Sequence, residues 1–160
     1  MIKQAIFILV VLSACTGKKT EPNPMKIEFE ILSQIPPAQG KTTQFGLAGA
    51  LVGCDDNHLI VAGGSNFEDN LPWRGGTKSY HDDIYILTRL KNGSNLWSQL
   101  KQKLPQPMAY SALVPAGNGF LSIGGEDLHG KLNQVYQISM EGDSIHFESF
   151  PKLPVALTNS

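Results

Sequence analysis

Charged side chains are scarce. They make up 17% of the 160 residues, and 13 basic against 14 acidic groups leave a formal net charge of -1. A nucleic-acid partner requires a basic face that neutralises phosphates, and no basic patch is present, so DNA and RNA are excluded as partners. Cysteine is scarcer still. Cys15 and Cys54 are the only two, too few for a disulfide framework. None of the four histidines stands at metal-ligand spacing from another His or Cys, so no metal site and no cofactor is expected. Long apolar runs are absent too: the stretch from Ala5 to Val11, continued by Leu12, is too short to span a bilayer comfortably. A chain that is 41% hydrophobic and lacks low-complexity stretches is expected to form an ordinary globular domain.

Glycine and proline, by contrast, are plentiful. The 16 glycines and 10 prolines fall between short apolar runs instead of gathering in one linker, which predicts an all-β chain with frequent turns. The first residues stand apart from this pattern. Lys3 precedes the apolar run, and Leu12-Ser13-Ala14-Cys15 then resembles a bacterial lipobox, in which small residues precede a cysteine that receives a diacylglyceryl group. Residues 1–14 are therefore expected to be a lipoprotein signal peptide and Cys15 the lipidation site. Residues 15–25 have the composition of a tether. The expected location is the bacterial cell envelope, periplasm-facing or outer membrane, with the lipid on Cys15 as the only membrane attachment. Cys54 is then left without a partner, and its place beside the turn Asp55-Asp56-Asn57 predicts a small, partly buried residue at a hairpin end.

From residue 26 onward the chain repeats itself. Leu59-Ile60-Val61-Ala62-Gly63-Gly64 matches Phe120-Leu121-Ser122-Ile123-Gly124-Gly125, each an apolar run ended by a diglycine. A strand bearing Tyr85 or Tyr136 follows each, and then an aromatic strand: Trp97 leads to Leu104-Pro105, and Phe147 to Leu153-Pro154. The offset between these last pairs, 49 residues, agrees with the period of roughly 50 known for Kelch repeats. The predicted fold is all-β, a partial Kelch-type β-propeller with two complete four-stranded blades, about 46–103 and 109–152, within 26–160. Within a blade, strand a covers roughly Gly46 to Gly53 or Tyr110 to Pro115, b ends in the diglycine, c carries the tyrosine, and d carries Trp97 or Phe147. A further d-type strand, Lys26 to Leu32, precedes the first blade and is expected to complete the last blade of a ring of about six. On this reading the 160 residues are the N-terminal fragment of that ring.

The two repeats differ at one place. Tyr85 lies 21 residues after Gly64, whereas Tyr136 lies 11 after Gly125, so ten residues are inserted between strands b and c of the first blade. In propellers the b-to-c and d-to-a connections share one face, where the central pocket usually opens. Residues 65–83, dense in aromatic, amide and charged groups, are thus the candidate binding segment.

That segment carries a family resemblance. Phe45-Gly46-Leu47-Ala48-Gly49-Ala50, Val61 to Phe67 with Asp69, Leu71-Pro72-Trp73, Gly75-Gly76, Lys78 and His81-Asp82-Asp83-Ile84-Tyr85 resemble the cyclically permuted Kelch group of the N-acetylneuraminate epimerase (sialic acid mutarotase) family. The resemblance implies an isomerase that interconverts the α and β anomers of N-acetylneuraminate. This chemistry needs a base at the anomeric hydroxyl, an acid at the ring oxygen, and a cation for the sugar carboxylate. Arg74, one of two arginines, suits the carboxylate; Asn66 suits N-acetyl or hydroxyl groups; Phe67 and Trp73 suit apolar sugar faces; His81 suits donation or acceptance. Structural roles compete with each: a solvated turn for Arg74, loop packing for Phe67 and Trp73, a hydrogen-bonded anchor for His81. Glu68 and Asp69 are adjacent carboxylates that point in different directions in most loops, so the acid and base stay unassigned. Glu126, Asp127 and His129 on the second blade border the same face or are a solvated turn. The alternative function is a non-catalytic Kelch module that binds glycan or protein.

Overall fold

The computed structural model describes residues 26–29, 31, 33–142 and 144–159. The expected signal peptide, the lipidated Cys15 and the tether lie outside them. Two units are present, 1–31 and 32–160.

In the first unit, Ile27, Phe29 and Ile31 alternate along the chain, as a strand would require, and all are exposed. No described residue of this segment pairs with another strand, and Glu30 and Leu32 of the expected closing strand Lys26–Leu32 lie outside the described residues. A strand needs a partner ladder, and the expected partner here is the last blade of the ring.

The second unit holds two four-stranded antiparallel sheets of identical order. The first contains β1 (Leu51–Cys54), β2 (His58–Ala62), β5 (Ile84–Arg89) and β6 (Asn95–Gln99), in that spatial order. The second contains β7 (Ala112–Ala116), β8 (Gly119–Ile123), β11 (Val135–Glu141) and β12 (Ser144–Phe150). These are the two blades that the repeat predicts, strands a to d in order. Two-stranded ribbons project from the b-to-c end of each blade: β3 (Ser65–Asn66) with β4 (Ser79–Tyr80), and β9 (Glu126–Asp127) with β10 (Gly130–Lys131). The only helical turn among the described residues is the 3-10 turn Pro72–Arg74.

Strand a is shorter than expected in both blades. Gly49 and Tyr110 adopt left-handed backbone, φ 62° and 57°, and the ladders begin only after them, at Leu51 and Ala112. These two residues are equivalent, and they are bonded in series: the Tyr110 amide donates to the Gly49 carbonyl at 2.8 Å, and the Asn159 amide to the Tyr110 carbonyl at 2.8 Å. A side chain at position 49 would collide with the Tyr110 ring, so glycine there makes room for the aromatic of the next repeat.

The diglycines close each blade against the connector that leaves it. The Gly64 amide donates to the Met108 carbonyl at 2.9 Å, and the Gly125 amide to the Leu157 carbonyl at 2.8 Å. A Cβ on Gly63 or Gly124 would overlap those same carbonyl oxygens. The apolar run before each diglycine supplies the core, where Leu51, Ile60, Ala62, Ile84 and Ile86 of blade 1 join Phe120, Ile138 and Ile145 of blade 2. Tyr85 is 1% exposed and lies on the opposite side of β5 from Ile84 and Ile86, so that strand is buried on both faces. Phe120 sits where any side chain on Gly53 would be, which lets the blades stack closely. Burying a phenylalanine this way stabilises by about 1.5–3 kcal/mol.

Cys54 departs from expectation. It is exposed instead of partly buried, because it ends β1 at the rim of the a-to-b turn.

Candidate functional site

Both ribbons leave their blades on the face that carries the d-to-a connectors. Between Asn66 and Ser79 lie twelve residues, Phe67 to Lys78; between Asp127 and Gly130 lie two, Leu128 and His129. The difference of ten is the insertion read from the repeat, and it is placed at the ribbon tip. Backbone pairing beneath it is unchanged. Ala48 and Ser65 exchange two amide bonds in the first blade, and Ala109 and Glu126 exchange the equivalent two in the second.

The five predicted residues separate into two groups. Asn66 and His81 come together, with the His81 Nε2 2.9 Å from the Asn66 Oδ1. They line a cavity of about 70 Å³ with Phe45, Glu68, Asp83 and Tyr85. This volume is well below the about 300–1,000 Å³ typical of small-molecule sites. The adjoining Asp82 and Asp83 are tied to Lys103, with a distance of 3.1 Å for Asp82, so the start of strand c is anchored by an ion pair. Opposing burial, the hydrogen bonds to Asp83 and Asp82 raise the Lys103 pKa and keep that lysine charged.

Trp73 and Arg74 lie apart from that pair, on the 3-10 turn at the tip of the insertion. Trp73 is 76% exposed. Pro72 favours the first turn of such a helix, and Gly75, at φ 80°, ends it. The Arg74 guanidinium makes no ion pair among the described residues. Phe67 is half-buried at the base of the same loop. The fold therefore does not gather all five side chains into one pocket.

What it gathers instead is a polar cluster across the two blades. Glu126 of the second ribbon accepts from Lys78 Nζ at 2.8 Å and from the Tyr80 hydroxyl at 2.6 Å, both from the inserted ribbon. The Lys78 ammonium also stands 4.4 Å from the centre of the Tyr110 ring, a cation–π contact. Ser65 Oγ lies 3.4 Å from the Tyr110 hydroxyl, and Thr158 Oγ1 3.5 Å from Glu126 Oε2. Tyr110 is the one described non-glycine residue with positive φ, a conformation that costs about 1–2 kcal/mol and is held by its packing against Gly49.

Electrostatics lock the protonation of this cluster. The hydrogen bonds from Lys78 and Tyr80 hold the Glu126 carboxyl below the ordinary range. Burial works against the Lys78 charge, but the bond to Glu126 outweighs it and raises that pKa. Burial and the carboxylate of Glu126 push the Tyr80 phenol up. At neutral pH the set is one carboxylate, one ammonium and one phenol. Such groups bind and orient well but exchange protons poorly.

Lys78 and Tyr80 also line a groove of about 550 Å³ that runs between the two ribbons, with Ser79, Pro107, Leu128 and His129 on its other walls. This volume falls in the range of about 300–1,000 Å³ typical of small-molecule sites. Sequence reasoning did not single out Lys78, Tyr80, Tyr110 or Thr158 for the site, and it left Glu126 open between a pocket border and a solvated turn. A signal was available for Glu126, which stands 61 residues after Ser65 in the equivalent position, the first of a ribbon. Lys78 and Tyr80 are two apart, on one side of an extended segment.

Stacked four-stranded blades, diglycine closures and a ligand-sized groove on the connector face define a Kelch-type β-propeller. The sequence profile of the N-acetylneuraminate epimerase family matches residues 12–147, and the chain belongs to that family. A relative from Brucella melitensis named N-acetylneuraminate epimerase is 34% identical over 131 residues, covering 76% of this chain and 32% of the relative. One of the same name from Haemophilus influenzae is 33% identical over 132 residues, with 76% and 33% covered. The solved structure of YjhT aligns with a TM-score of 0.55 and 26% identity, over 71% of this chain and 33% of that one. The chain thus spans about a third of the length of the curated relatives it matches.

Proposed function

We propose that this chain supplies the N-terminal blades of a mutarotase that interconverts the α and β anomers of N-acetylneuraminate. The family match over residues 12–147 carries this reading. Its setting is a ligand-sized groove on the connector face, beside the inserted loop. Ring opening requires a base and an acid that change protonation near neutrality. Glu126 and Tyr80 are shifted away from neutrality in opposite directions, which suits these two to binding and orientation, and the acid and base are proposed to lie in further blades. Within the described residues, Arg74 is proposed for the sugar carboxylate, Trp73 and Phe67 for apolar sugar faces, and Asn66 with His81 for support of the loop base. Attachment to the envelope through a lipid on Cys15 is part of the same proposal.

The test is anomer exchange of N-acetylneuraminate followed by NMR with the complete protein. Acceleration over the spontaneous rate is expected; a rate equal to the spontaneous one removes the mutarotase reading. Binding without exchange would instead identify a non-catalytic sugar-binding propeller. For the anchor, metabolic labelling with a radioactive fatty acid should mark the wild type and not Cys15→Ser, and equal labelling of neither protein removes the lipoprotein assignment.

A further inference from the structure

We propose that the Lys78–Glu126 couple recognises a vicinal diol, and that in the sugar named above the diol belongs to the three-carbon polyol side chain and not to the ring carboxylate. This inference rests on the sialic acid reading for the identity of its ligand, but its geometry does not. The couple joins the last residue of the inserted loop to the first residue of the second ribbon, at 2.8 Å. Both side chains keep contact with solvent, 32% for Lys78 and 20% for Glu126.

Each partner has bonding capacity to spare. The ammonium carries three donors, of which Glu126 takes one and the Tyr80 hydroxyl engages a second, while the Tyr110 ring faces it at 4.4 Å, so one donor remains. The carboxylate accepts two short bonds on Oε1, whereas Oε2 has only the long 3.5 Å contact with Thr158. A free donor therefore stands next to a free acceptor, on groups whose positions are held by the two tyrosines. Adjacent hydroxyls of a polyol have the matching pattern: one accepts from the ammonium while its neighbour donates to the carboxylate.

Charge decides against the carboxylate of the sugar. The pair is neutral as a unit, and an incoming anion that reached Lys78 would also meet Glu126, a like charge in the same contact. A polyol suffers no such repulsion. Lys78 and Tyr80 line the groove, and Asp127, the neighbour of Glu126, lines it too, so the couple stands at the groove's edge.

The experiment uses the complete protein and two ligands: the methyl α-glycoside of N-acetylneuraminate, and the same glycoside with its side chain shortened by periodate oxidation and borohydride reduction. Wild type should bind the intact side chain about tenfold more tightly, the worth of hydrogen bonds to charged groups. Glu126→Gln and Lys78→Met should each bring that ratio close to one while leaving affinity for the shortened ligand unchanged, and Lys78→Arg should restore part of it. A wild-type ratio near one overturns the proposal whether or not the variants fold. So does a ratio that survives both substitutions, or an equal loss for both ligands. Anomer exchange with a wild-type ratio near one removes only the diol site; a ratio near ten without exchange removes only the mutarotase reading. Failure to bind either glycoside overturns the diol site, and the mutarotase reading then stands or falls on anomer exchange of the free sugar.

Discussion

Replacing Gly63 with alanine tests the packing logic of the blades. Gly63 directly follows β2 with φ 62°, and a Cβ there would overlap the Met108 carbonyl oxygen and come within 2.9 Å of a Leu104 methyl. The methyl can move, but the carbonyl accepts the Gly64 amide and belongs to the connector between the blades. Two costs combine. Left-handed backbone costs an L-residue about 1–2 kcal/mol. Overpacking against an immobile neighbour adds about 1–3 kcal/mol. Gly142 has nearly the same φ, 61°, and nothing within 4 Å of its virtual Cβ, so Gly142→Ala carries the first cost without the second. Urea unfolding, followed through the half-buried Trp97, should show a loss of about 2–5 kcal/mol for Gly63→Ala, against about 1–2 kcal/mol for Gly142→Ala. At about 2–4 °C per kcal/mol the first lowers Tm by on the order of 10 °C. Equal losses for the two variants would refute the argument that the diglycine exists to admit a neighbouring backbone.

The Glu126 clamp has a pH signature. The folded-state pKa of Glu126 is depressed, so its stabilisation is present above the ordinary carboxylate range and is lost as pH falls through the lower folded value. That of Lys78 is raised, so its share is complete below pH 10.5 and fades only as pH rises through the folded value. Glu126→Gln should therefore cost about 1 kcal/mol at pH 7, discounted for partial exposure. The gap between variant and wild type should close in acid denaturation below about pH 4, and a gap that persists at pH 2 would contradict the sign. Trp73→Ala, at a side chain exposed on the loop tip, should change stability by less than about 0.5 kcal/mol while weakening sugar binding; unchanged affinity would discard its stacking role. In a Cys15→Ser background, Cys54 should react with an aromatic disulfide reagent in the native protein as fast as in urea, and slow native labelling would show that its rim position is covered.

The class of fold was legible in the sequence because diglycine, tyrosine strand and aromatic strand recur in order, and each answers a local steric or packing demand. The ten-residue insertion was equally legible, since counting from Gly64 to Tyr85 and from Gly125 to Tyr136 needs no coordinates. Strand limits were less so. The left-handed turn at Tyr110 has no composition signal, because tyrosine is an unusual residue there and is held only by its contact with Gly49. The exposure of Cys54 also depends on what packs above a hairpin rim, which neighbours in sequence do not reveal.

The site divides along the same line. Residues in one loop are visible together in the sequence, and so Asn66, Phe67, Trp73, Arg74 and His81 stood out as a group. Only Asn66 and His81 meet, because pairing of β3 with β4 brings the two ends of the loop together and sends its middle outward. The Lys78–Tyr80–Tyr110–Glu126 cluster joins residues as many as 48 positions apart, and stacking of one blade on the next is what brings them within hydrogen-bond reach. By itself, then, the sequence determined the repeat, the blades and the place of the insertion, all properties of local pattern. The tertiary structure decided which side chains share that face, because contact across blades depends on twist, register and stacking that no single repeat contains.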